Sequence, residues 1–279
     1  RNGKKTLAFK PENSRFYEHN NHGPGAKNNA SRKHLNDQDA ENYSLNNLLK
    51  QWQLLLPKKL FLLGDSTLAN KQTQRYPETG WGMALDELAN TSLHIENHAV
   101  NGRSSKSFYD EGRWGKIMDQ LQAGDYVFIQ FGHNDQKIKD PTRYSQADTE
   151  YANNLIRYIN QTRSKGAIPL LATSICRRSF NENNQLQTTH GDYPEVVRSV
   201  AKKMNVALFD LQSSSFEDLK KVGEEKSISW YLHTKPGQYT YYKEGKTDNT
   251  HLSPNGARWI AQTWIKQLQQ QQHPLMFYF

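Results

Sequence analysis

A serine in one part of the sequence and an aspartate and a histidine in a distant part are the residue types that nucleophilic catalysis needs. Ser66 follows a Gly-Asp pair at the end of the apolar run KLFLLG (59–64), and Asp248 lies three residues before His251 in KTDNTHLSP. A serine hydroxyl is a weak nucleophile and needs a base within hydrogen-bond reach. The spacing lets Asp248 accept a hydrogen bond from His251 Nδ1 while Nε2 faces Ser66. These residues therefore predict a Ser-His-Asp triad.

Each of these residues also has an ordinary structural interpretation. Ser and Asp are favoured at helix N-caps, so Ser66 taken alone is better interpreted as the cap of a helix that begins just after it. Asp248 is typical of a turn in a loop, and His251 of a surface histidine. An isolated Asp-x-x-His pattern arises by chance more often than not. The triad therefore depends on what the neighbouring motifs add.

Two further apolar runs end in groups that donate hydrogen bonds. In NHAVNGRSSKSF, a turn at Asn101-Gly102 allows the Gly102 N–H to approach a ligand closely. In FIQFGHNDQK, Asn134 offers a side-chain amide. An oxyanion near Ser66 is therefore expected to accept hydrogen bonds from the backbone N–H groups of Ser66 and Gly102 and from Asn134. By itself, the Asn-Gly pair is better interpreted as an ordinary strand-to-helix turn.

The elements that must position these residues follow from the pattern after Pro57. Strand-length apolar runs alternate with helical patterns: the runs are 59–64, 93–100, 125–132, 167–175 and 206–211, and the helical patterns lie near 80–90, 113–122, 148–165, 192–204 and after Pro254. Strands separated by helices predict parallel βαβ units with helices on both faces of the sheet. Ligands of such sheets bind at the carboxyl ends of the strands, where all three motifs lie.

Composition narrows the class of partner. Lys and Arg number 36 against 28 Asp and Glu, a formal net charge of +8 that favours an acidic partner. An anionic polysaccharide and nucleic acid both fit, although no recognisable nucleic-acid-binding module is present, and a basic surface without specific meaning is an equal alternative. The single Cys176 rules out an intramolecular disulfide and a Cys-rich metal site. No apolar run approaches the roughly eighteen residues of a membrane span.

The order Gly-Asp-Ser, Asn-Gly, Gly-x-Asn-Asp and Asp-x-x-His resembles the motif order of the SGNH (GDSL) hydrolases. Within that group, the chain from about Lys59 to the C-terminus most resembles the rhamnogalacturonan acetylesterases. The segments that carry this resemblance are GDST, NHAVNGRSSKSF, FGHNDQK, RRSFNENNQLQTTHGDYPEVVRSVAKKMNVALFDL and HTKPGQYTYYKEGKTDNTHLSPNGA. The resemblance implies a flavodoxin-like three-layer α/β/α fold with a central parallel sheet, and hydrolysis of acetyl esters on pectin sugars without a metal or cofactor. It assigns the catalytic roles to Ser66, Asp248 and His251, and the oxyanion hole to Ser66, Gly102 and Asn134.

Candidate substrate-binding residues lie in or near the same segments. Asp65, Trp81, Arg103 and His133 are the primary candidates. Further cations suited to uronate carboxylates are Lys106, Arg177, Arg178 and Lys235, and further flat faces for sugar rings are Tyr239, Tyr241 and Tyr242. Surface charge or packing is the competing interpretation, and it is favoured for the further cations and the three tyrosines.

Residues 1–57 form a separate, polar segment. The stretch RFYEHNNHGPGAKNNASRKHLNDQDAENYSLNNLLKQW resembles the C-terminal tail of a pectin methylesterase domain, although no catalytic carboxylate of that family is found there. This suggests two domains, an extension over 1–57 and a hydrolase over 58–279, within a longer pectin-processing polypeptide; an extension that wraps the esterase is the alternative. No secretory h-region is recognised in the sequence, which is therefore expected to be a mature chain or a fragment. A secreted, periplasmic or cell-surface location is implied by the family resemblance alone.

Other functions remain open at this level. The same triad would serve an esterase that acts on another acetylated polysaccharide, on a pectin methyl ester, or on a lipid or thioester. A lipid or thioester hydrolase should line its acyl site with a long apolar surface, whereas the loops here are polar. A polysaccharide-binding module without catalysis would require a broken triad. A nucleic-acid-binding protein rests on charge alone.

Overall fold

The five apolar runs form one parallel sheet in the computed structural model, which describes residues 57–279. The strands are β1 (Lys58–Gly64), β2 (Leu93–Asn97), β3 (Tyr126–Gln130), β4 (Ile168–Ala172) and β5 (Ala207–Phe209). Their order across the sheet is β2-β1-β3-β4-β5, and each neighbouring pair is parallel. This is the flavodoxin-like order, so the expected fold class is confirmed. The extension expected over 1–57 lies outside the described residues, apart from Pro57.

Helices connect the strands and cover the sheet. They are α1 (Trp81–Leu88), α2 (Ser105–Asp110), α3 (Arg113–Met118), α4 (Ala152–Ser164), α5 (Tyr193–Met204), α6 (Leu211–Val222), α7 (Glu224–Ser227) and α8 (Pro254–Gln270). The last helix begins where the sequence predicts, because the Ser253 hydroxyl accepts a hydrogen bond from the Gly256 N–H and Pro254 suits the first turn. Helices α2, α6 and α7 were not predicted.

The alternation of side chains along the strands divides the core into two layers. In β1, Leu60 and Leu62 pack on one face of the sheet with α1, α6 and α8. Phe61 and Leu63 pack on the other face with α2, α3, α4 and α5. Because successive side chains of a strand point to opposite faces, a strand buried on both sides must be apolar throughout. The motifs of Ser66 and Asn134 therefore follow strands, β1 and β3, whose carboxyl ends are buried on both faces.

A separate antiparallel hairpin carries the C-terminal motif. It consists of β6 (Tyr231–Thr234) and β7 (Lys246–Leu252). The hairpin precedes α8, whose apolar face packs on the sheet. This arrangement brings a segment from the end of the chain to the edge of the sheet where β1 ends. Within residues 57–279, no helix has the length and hydropathy that crossing a membrane requires.

Candidate active site

Ser66 lies in a tight turn that follows β1. The Asp65 carbonyl accepts hydrogen bonds from the N–H groups of Leu68 and Ala69, and Asp65 Oδ1 accepts from the Thr67 N–H and hydroxyl, each at 2.9 Å. The expectation of a helix immediately after Ser66 is wrong, because the chain forms a turn here and α1 begins only at Trp81. Asp65 therefore caps the turn, and the Ser66 hydroxyl is left to bond elsewhere.

The hydroxyl of Ser66 is joined to two residues from the other end of the chain. His251 Nε2 lies 2.9 Å from Ser66 Oγ, and His251 Nδ1 lies 2.8 Å from Asp248 Oδ2. When Nδ1 carries the proton and donates it to the carboxylate, Nε2 is the acceptor that faces the hydroxyl. The structure thus brings together the three residues that the sequence predicts as a triad, in the order that base catalysis requires.

An irregularity in the hairpin places His251 and Asp248 side by side. Leu232 pairs with Asp248, whereas its neighbour Tyr231 pairs with Leu252, so the ladder is interrupted in β7 between these two pairs. The intervening residues bend out, and Asp248 Oδ1 accepts from the N–H groups of Thr250 and His251 at 2.8 and 2.9 Å. The sequence prediction of a loop is therefore corrected to a bulged strand. A bulge of this kind redirects side chains next to functional sites.

These hydrogen bonds determine the charge of Asp248. Partial burial by itself would raise the pKa of this carboxyl. The hydrogen bonds from the His251 side chain and backbone, the His251 charge and the Thr250 N–H outweigh burial and hold the pKa well below its usual range. Asp248 is consequently a carboxylate at neutral pH, which fixes the orientation of the imidazole.

Three potential donors border the same pocket as the Ser66 hydroxyl. Gly102 has a φ of +76°, a conformation that glycine adopts without strain. Among residues 57–279, the N–H groups of Ser66 and Gly102 have no acceptor. Asn134 Nδ2 donates to the Arg103 carbonyl at 3.0 Å, which holds the amide in place and leaves its second N–H for a ligand. Ser66, Gly102 and Asn134 all line the pocket, as an oxyanion site requires.

A buried ion pair connects this turn to a second one. Lys71 Nζ lies 2.9 Å from Glu78 Oε1, and the Lys71 side chain is only 2% exposed. The same ammonium donates to the Ser66 carbonyl at 2.6 Å and to Asn101 Oδ1 at 2.7 Å. Lys71 thereby links the residue at the end of β1 to the turn that carries Gly102. Neither Lys71 nor Glu78 was identified from the sequence, although Lys71 lies only five residues after Ser66.

Asp65 and His133 form a second buried pair below the pocket. Asp65 Oδ2 lies 3.4 Å from His133 Nδ1. Burial would raise the pKa of Asp65, but the charge and hydrogen bonding of His133 and the Thr67 hydrogen bonds lower it. Burial lowers the pKa of His133 against the attraction of Asp65. The pair therefore consists of a carboxylate and a neutral imidazole at neutral pH.

The pocket has a volume of about 760 Å³ and is lined mainly by polar and charged groups. His133 lines it as predicted, and so do Arg177, Tyr241 and Tyr242. Trp81 and Asp65 do not, because both are fully buried. Trp81 donates to Gln130 Oε1 and packs on Phe128. The prediction that these two residues contact substrate is wrong.

The remaining candidates lie elsewhere. Arg103 and Lys106 line a neighbouring groove of about 830 Å³ that shares Asn101 and Gly102 with the pocket. Arg178 is buried and donates to the Glu224 carbonyl, Ser227 and Asn249, which is a structural role. Lys235 and Tyr239 do not line the pocket. No group of three or more His, Cys, Asp or Glu side chains in the described part of the chain is arranged to hold a metal ion.

The chain is similar to a known protein family and to several named proteins. Residues 62–259 match the GDSL-like Lipase/Acylhydrolase family. Over 205 residues, 74% of this chain and 87% of the relative, the chain is 36% identical to a protein of Bacillus subtilis (strain 168) named rhamnogalacturonan acetylesterase RhgT. It is 35% identical over 77% of its length to probable rhamnogalacturonan acetylesterase YesY of the same organism, covering 94% of that protein. The crystal structure of Bacillus subtilis protein YxiM shares the fold, with a TM-score of 0.67 at 22% identity over 78% of this chain and 58% of that one.

Proposed function

Because the chain belongs to the GDSL-like lipase/acylhydrolase family, we propose that it is a serine carboxylic ester hydrolase that removes O-acetyl groups from rhamnogalacturonan-type pectin. The two similar Bacillus subtilis proteins named as rhamnogalacturonan acetylesterases support the substrate class. The observation that carries the proposal is the pair of hydrogen bonds that joins Ser66 Oγ through His251 to Asp248. The catalytic triad is then Ser66, His251 and Asp248.

In the proposed first step, His251 Nε2 removes the hydroxyl proton of Ser66 as Oγ attacks the acetyl carbonyl carbon. The imidazolium that forms is stabilised by the Asp248 carboxylate, which accepts from Nδ1 at 2.8 Å. The tetrahedral oxyanion accepts hydrogen bonds from the N–H groups of Ser66 and Gly102 and from Asn134. These donors act in the transition state, where negative charge develops on the carbonyl oxygen, and so they lower the barrier.

The tetrahedral intermediate then collapses with His251 acting as a general acid. His251 returns its proton to the sugar oxygen, the C–O bond to the sugar breaks, and an acetyl group remains on Ser66. Water enters, His251 removes its proton, and attack on the acetyl carbon forms a second oxyanion at the same donors. When this intermediate collapses, the bond between the acyl carbon and Ser66 Oγ breaks and His251 gives its proton to Oγ. The Ser66 hydroxyl is restored, and the product leaves as acetic acid, which ionises to acetate.

The lining of the pocket favours a small acyl group on a polar substrate. Leu232 is the single aliphatic side chain in the part of the lining that the structure describes, and Tyr241 and Tyr242 are its aromatic side chains. A long acyl chain would need an extended apolar surface to bury its methylene groups, each worth about 0.8 kcal/mol. The pocket offers instead charged and hydrogen-bonding groups, which suit a carbohydrate.

The proposal is tested by acetate release from acetylated rhamnogalacturonan, compared with acetylated homogalacturonan and acetylated xylan. We expect the highest kcat/KM on rhamnogalacturonan, and loss of nearly all activity in Ser66→Ala and in His251→Ala. Ser164→Ala, an exposed serine at the end of α4, is the matched control and should retain wild-type activity. Unchanged acetate release by both Ser66→Ala and His251→Ala would show that the mechanism is wrong, and a preference for xylan would show that the substrate is wrong.

The location of the protein is part of the proposal. A pectic polysaccharide is a polymer that lies outside the cells that degrade it, so we expect the enzyme to be secreted, periplasmic or held at a cell surface. The measurement is the distribution of acetylesterase activity among culture medium, the surface of washed cells, the periplasmic fraction and the remaining lysate. Activity confined to the lysate that remains after the periplasmic fraction is removed would contradict this location without affecting the assignment of the triad.

A further inference from the structure

The catalytic pocket is bordered by more positive charge than its own carboxylates neutralise. Its cations among the described residues are Arg75, Lys137, Arg177 and Lys246. Arg75 has partners, since its guanidinium lies 3.6 Å from Glu78 and 4.9 Å above the ring of Tyr241. For Lys137, Arg177 and Lys246, no Asp or Glu of residues 57–279 lies within ion-pair distance.

The carboxylates of the pocket are already engaged. Glu78 is paired with the buried ammonium of Lys71 at 2.9 Å, and Asp248 accepts from His251 at 2.8 Å. Neither is free to turn toward the unpaired cations without breaking these contacts. The excess positive charge is therefore a stable property of the pocket.

The neighbouring groove also contains basic residues, but their charges are neutralised by acidic side chains. Arg103 is paired with Glu111 at 3.1 Å and Lys106 with Asp110 at 2.6 Å. Arg143 is paired with Asp140. Each cation of the groove thus has an acidic partner in the protein. Of the cations that the sequence singles out for uronate binding, Arg103 and Lys106 are therefore neutralised locally, whereas Arg177, which lines the pocket of Ser66, is not.

Arg177 is held in position by neutral acceptors. Its Nη1 donates to the Thr189 carbonyl and hydroxyl at 3.3 and 3.0 Å, and Nη2 donates to the His133 carbonyl at 3.4 Å. With the Gln136 amide oriented so that its oxygen faces the guanidinium, that oxygen accepts from both nitrogens at 2.8 Å. These contacts fix the direction of the side chain and leave its charge uncompensated, which prepares it for an anion.

Lys137 lies close enough to other cations to be affected by them. Partial burial lowers the pKa of its ammonium, and the charges of Arg143 and Arg177 lower it further, against the attraction of Asp140 and Asp65. Repulsion among like charges at a pocket is a cost that a bound anion would relieve. His133, which is 3% exposed, also lines the pocket; its Nδ1 faces Asp65 at 3.4 Å, and its Nε2 has no hydrogen-bond partner among the described residues. It is a further polar group available to a ligand.

We propose that Lys137 and Arg177 form a carboxylate-binding subsite inside the catalytic pocket, which takes the carboxylate of a uronate residue of the polysaccharide while the acetyl ester lies at Ser66. This inference rests on the proposed function, since it names the charged group of that same substrate. Arg177 supplies a fixed positive charge, and the exposed Lys137 supplies a mobile ammonium that donates hydrogen bonds. The subsite distinguishes an acidic pectic chain from a neutral acetylated polymer such as xylan.

The test measures binding rather than turnover, so that its result is independent of the esterase reaction. The probe is a deacetylated rhamnogalacturonan oligosaccharide, titrated calorimetrically into the Ser66→Ala protein at fixed ionic strength. The compared proteins carry Lys137→Gln, Arg177→Gln or Lys139→Gln in addition. Lys139 is exposed, lies two residues from Lys137 and does not line the pocket, so its variant controls for net charge.

We expect the Kd to rise about tenfold in Lys137→Gln and at least as much in Arg177→Gln, the effect of one charge-assisted hydrogen bond. The Lys139→Gln variant should bind as its parent does. An oligosaccharide whose carboxyl groups have been reduced to alcohols should bind more weakly than the acidic form and equally to all variants. Equal affinity of Lys137→Gln and its parent for the acidic form would overturn the subsite, as would equal weakening in Lys139→Gln.

Different results would count against the subsite and against the proposed function. Lys137 makes no side-chain hydrogen bond within the described chain, so its replacement should leave the fold intact even if Arg177→Gln unfolds. Failure of the wild-type protein to release acetate would count against the proposed function. Acetate release by the wild-type protein together with unchanged binding by Lys137→Gln would count against the subsite alone.

Discussion

The ammonium of Lys71 donates a 2.6 Å hydrogen bond to the backbone carbonyl of Ser66. Its second bond, to Asn101 Oδ1, reaches the residue that precedes Gly102. Lys71 therefore links the residue that carries the Ser66 hydroxyl to the turn that carries Gly102, the proposed oxyanion donor. It is a positioning residue, because it acts through the backbone of Ser66 and through Asn101.

Lys71→Met should lower kcat about tenfold to a hundredfold with little change in KM, since small displacements of reacting groups have effects of that size. It should also destabilise the fold, because the buried Glu78 loses its nearer cation and keeps only Arg75, at 3.6 Å. The double variant Lys71→Met/Glu78→Gln separates the two effects. In the double variant, the midpoint of thermal unfolding should return toward the wild-type value while kcat stays low. If kcat returned to the wild-type value together with the midpoint, the role of Lys71 would be structural only. The measurements are steady-state kinetics on 4-nitrophenyl acetate and thermal unfolding.

Asn134→Ala should lower kcat roughly a hundredfold or more, because loss of one oxyanion donor costs about 2.7 to 4 kcal/mol in the transition state. Asn134→Asp keeps the shape of the side chain but removes its donors, and it should be at least as impaired. Binding of a deacetylated oligosaccharide, which contains no reacting carbonyl, should change little in both variants. Wild-type kcat in Asn134→Asp would exclude the amide from the oxyanion site.

Asp248→Asn should lower kcat by about four orders of magnitude, the effect of presenting an amide N–H to the histidine and selecting the wrong tautomer. The change is nearly isosteric, so the folded structure should persist. Asp119→Asn, at an exposed position after α3, is the control and should retain full activity. Rates are measured on 4-nitrophenyl acetate, and activity above a few per cent of wild type would contradict the assignment of Asp248.

Asp135 should make the free energy of unfolding decrease as the pH rises toward neutrality. Burial raises its pKa to about 7, although Ser105 donates to it through both its N–H and its hydroxyl. A carboxyl whose folded-state pKa exceeds the unfolded value stabilises the fold while protonated. That stability is lost as pH rises toward about 7, by about 1.4 kcal/mol for each unit of pKa difference.

Asp135→Asn stays neutral and lacks this dependence. Relative to wild type, its free energy of unfolding should therefore increase between pH 4.5 and pH 8, as measured by urea denaturation at both values. Asp119→Asn, at its exposed position, controls for the removal of one carboxylate. A difference between Asp135→Asn and wild type that is the same at both pH values would show that Asp135 is ionised throughout.

The parts of the site that depend on short stretches of chain were predicted correctly. The apolar run before Ser66 forms β1, and Asp248 and His251 reach each other because only two residues separate them. The proposed oxyanion donors Ser66, Gly102 and Asn134 line one pocket by the same logic, since parallel strands present their carboxyl ends at one edge of the sheet. The helix expected after Ser66 and the loop expected around His251 were wrong, because hydrogen bonding to Asp65 and pairing with β6 determine the local conformation.

What the sequence by itself determined is the set of chemical groups and the alternation of strands and helices that places them at strand ends. Tertiary structure decided which of those groups meet. His251 reaches Ser66 across 185 residues of chain, Trp81 is buried in the core and removed from the pocket, and Arg103 finds an acidic partner while Arg177 does not. The reason is physical: side-chain type and strand pattern are local properties, whereas burial and charge neutralisation depend on neighbours that only the folded chain supplies.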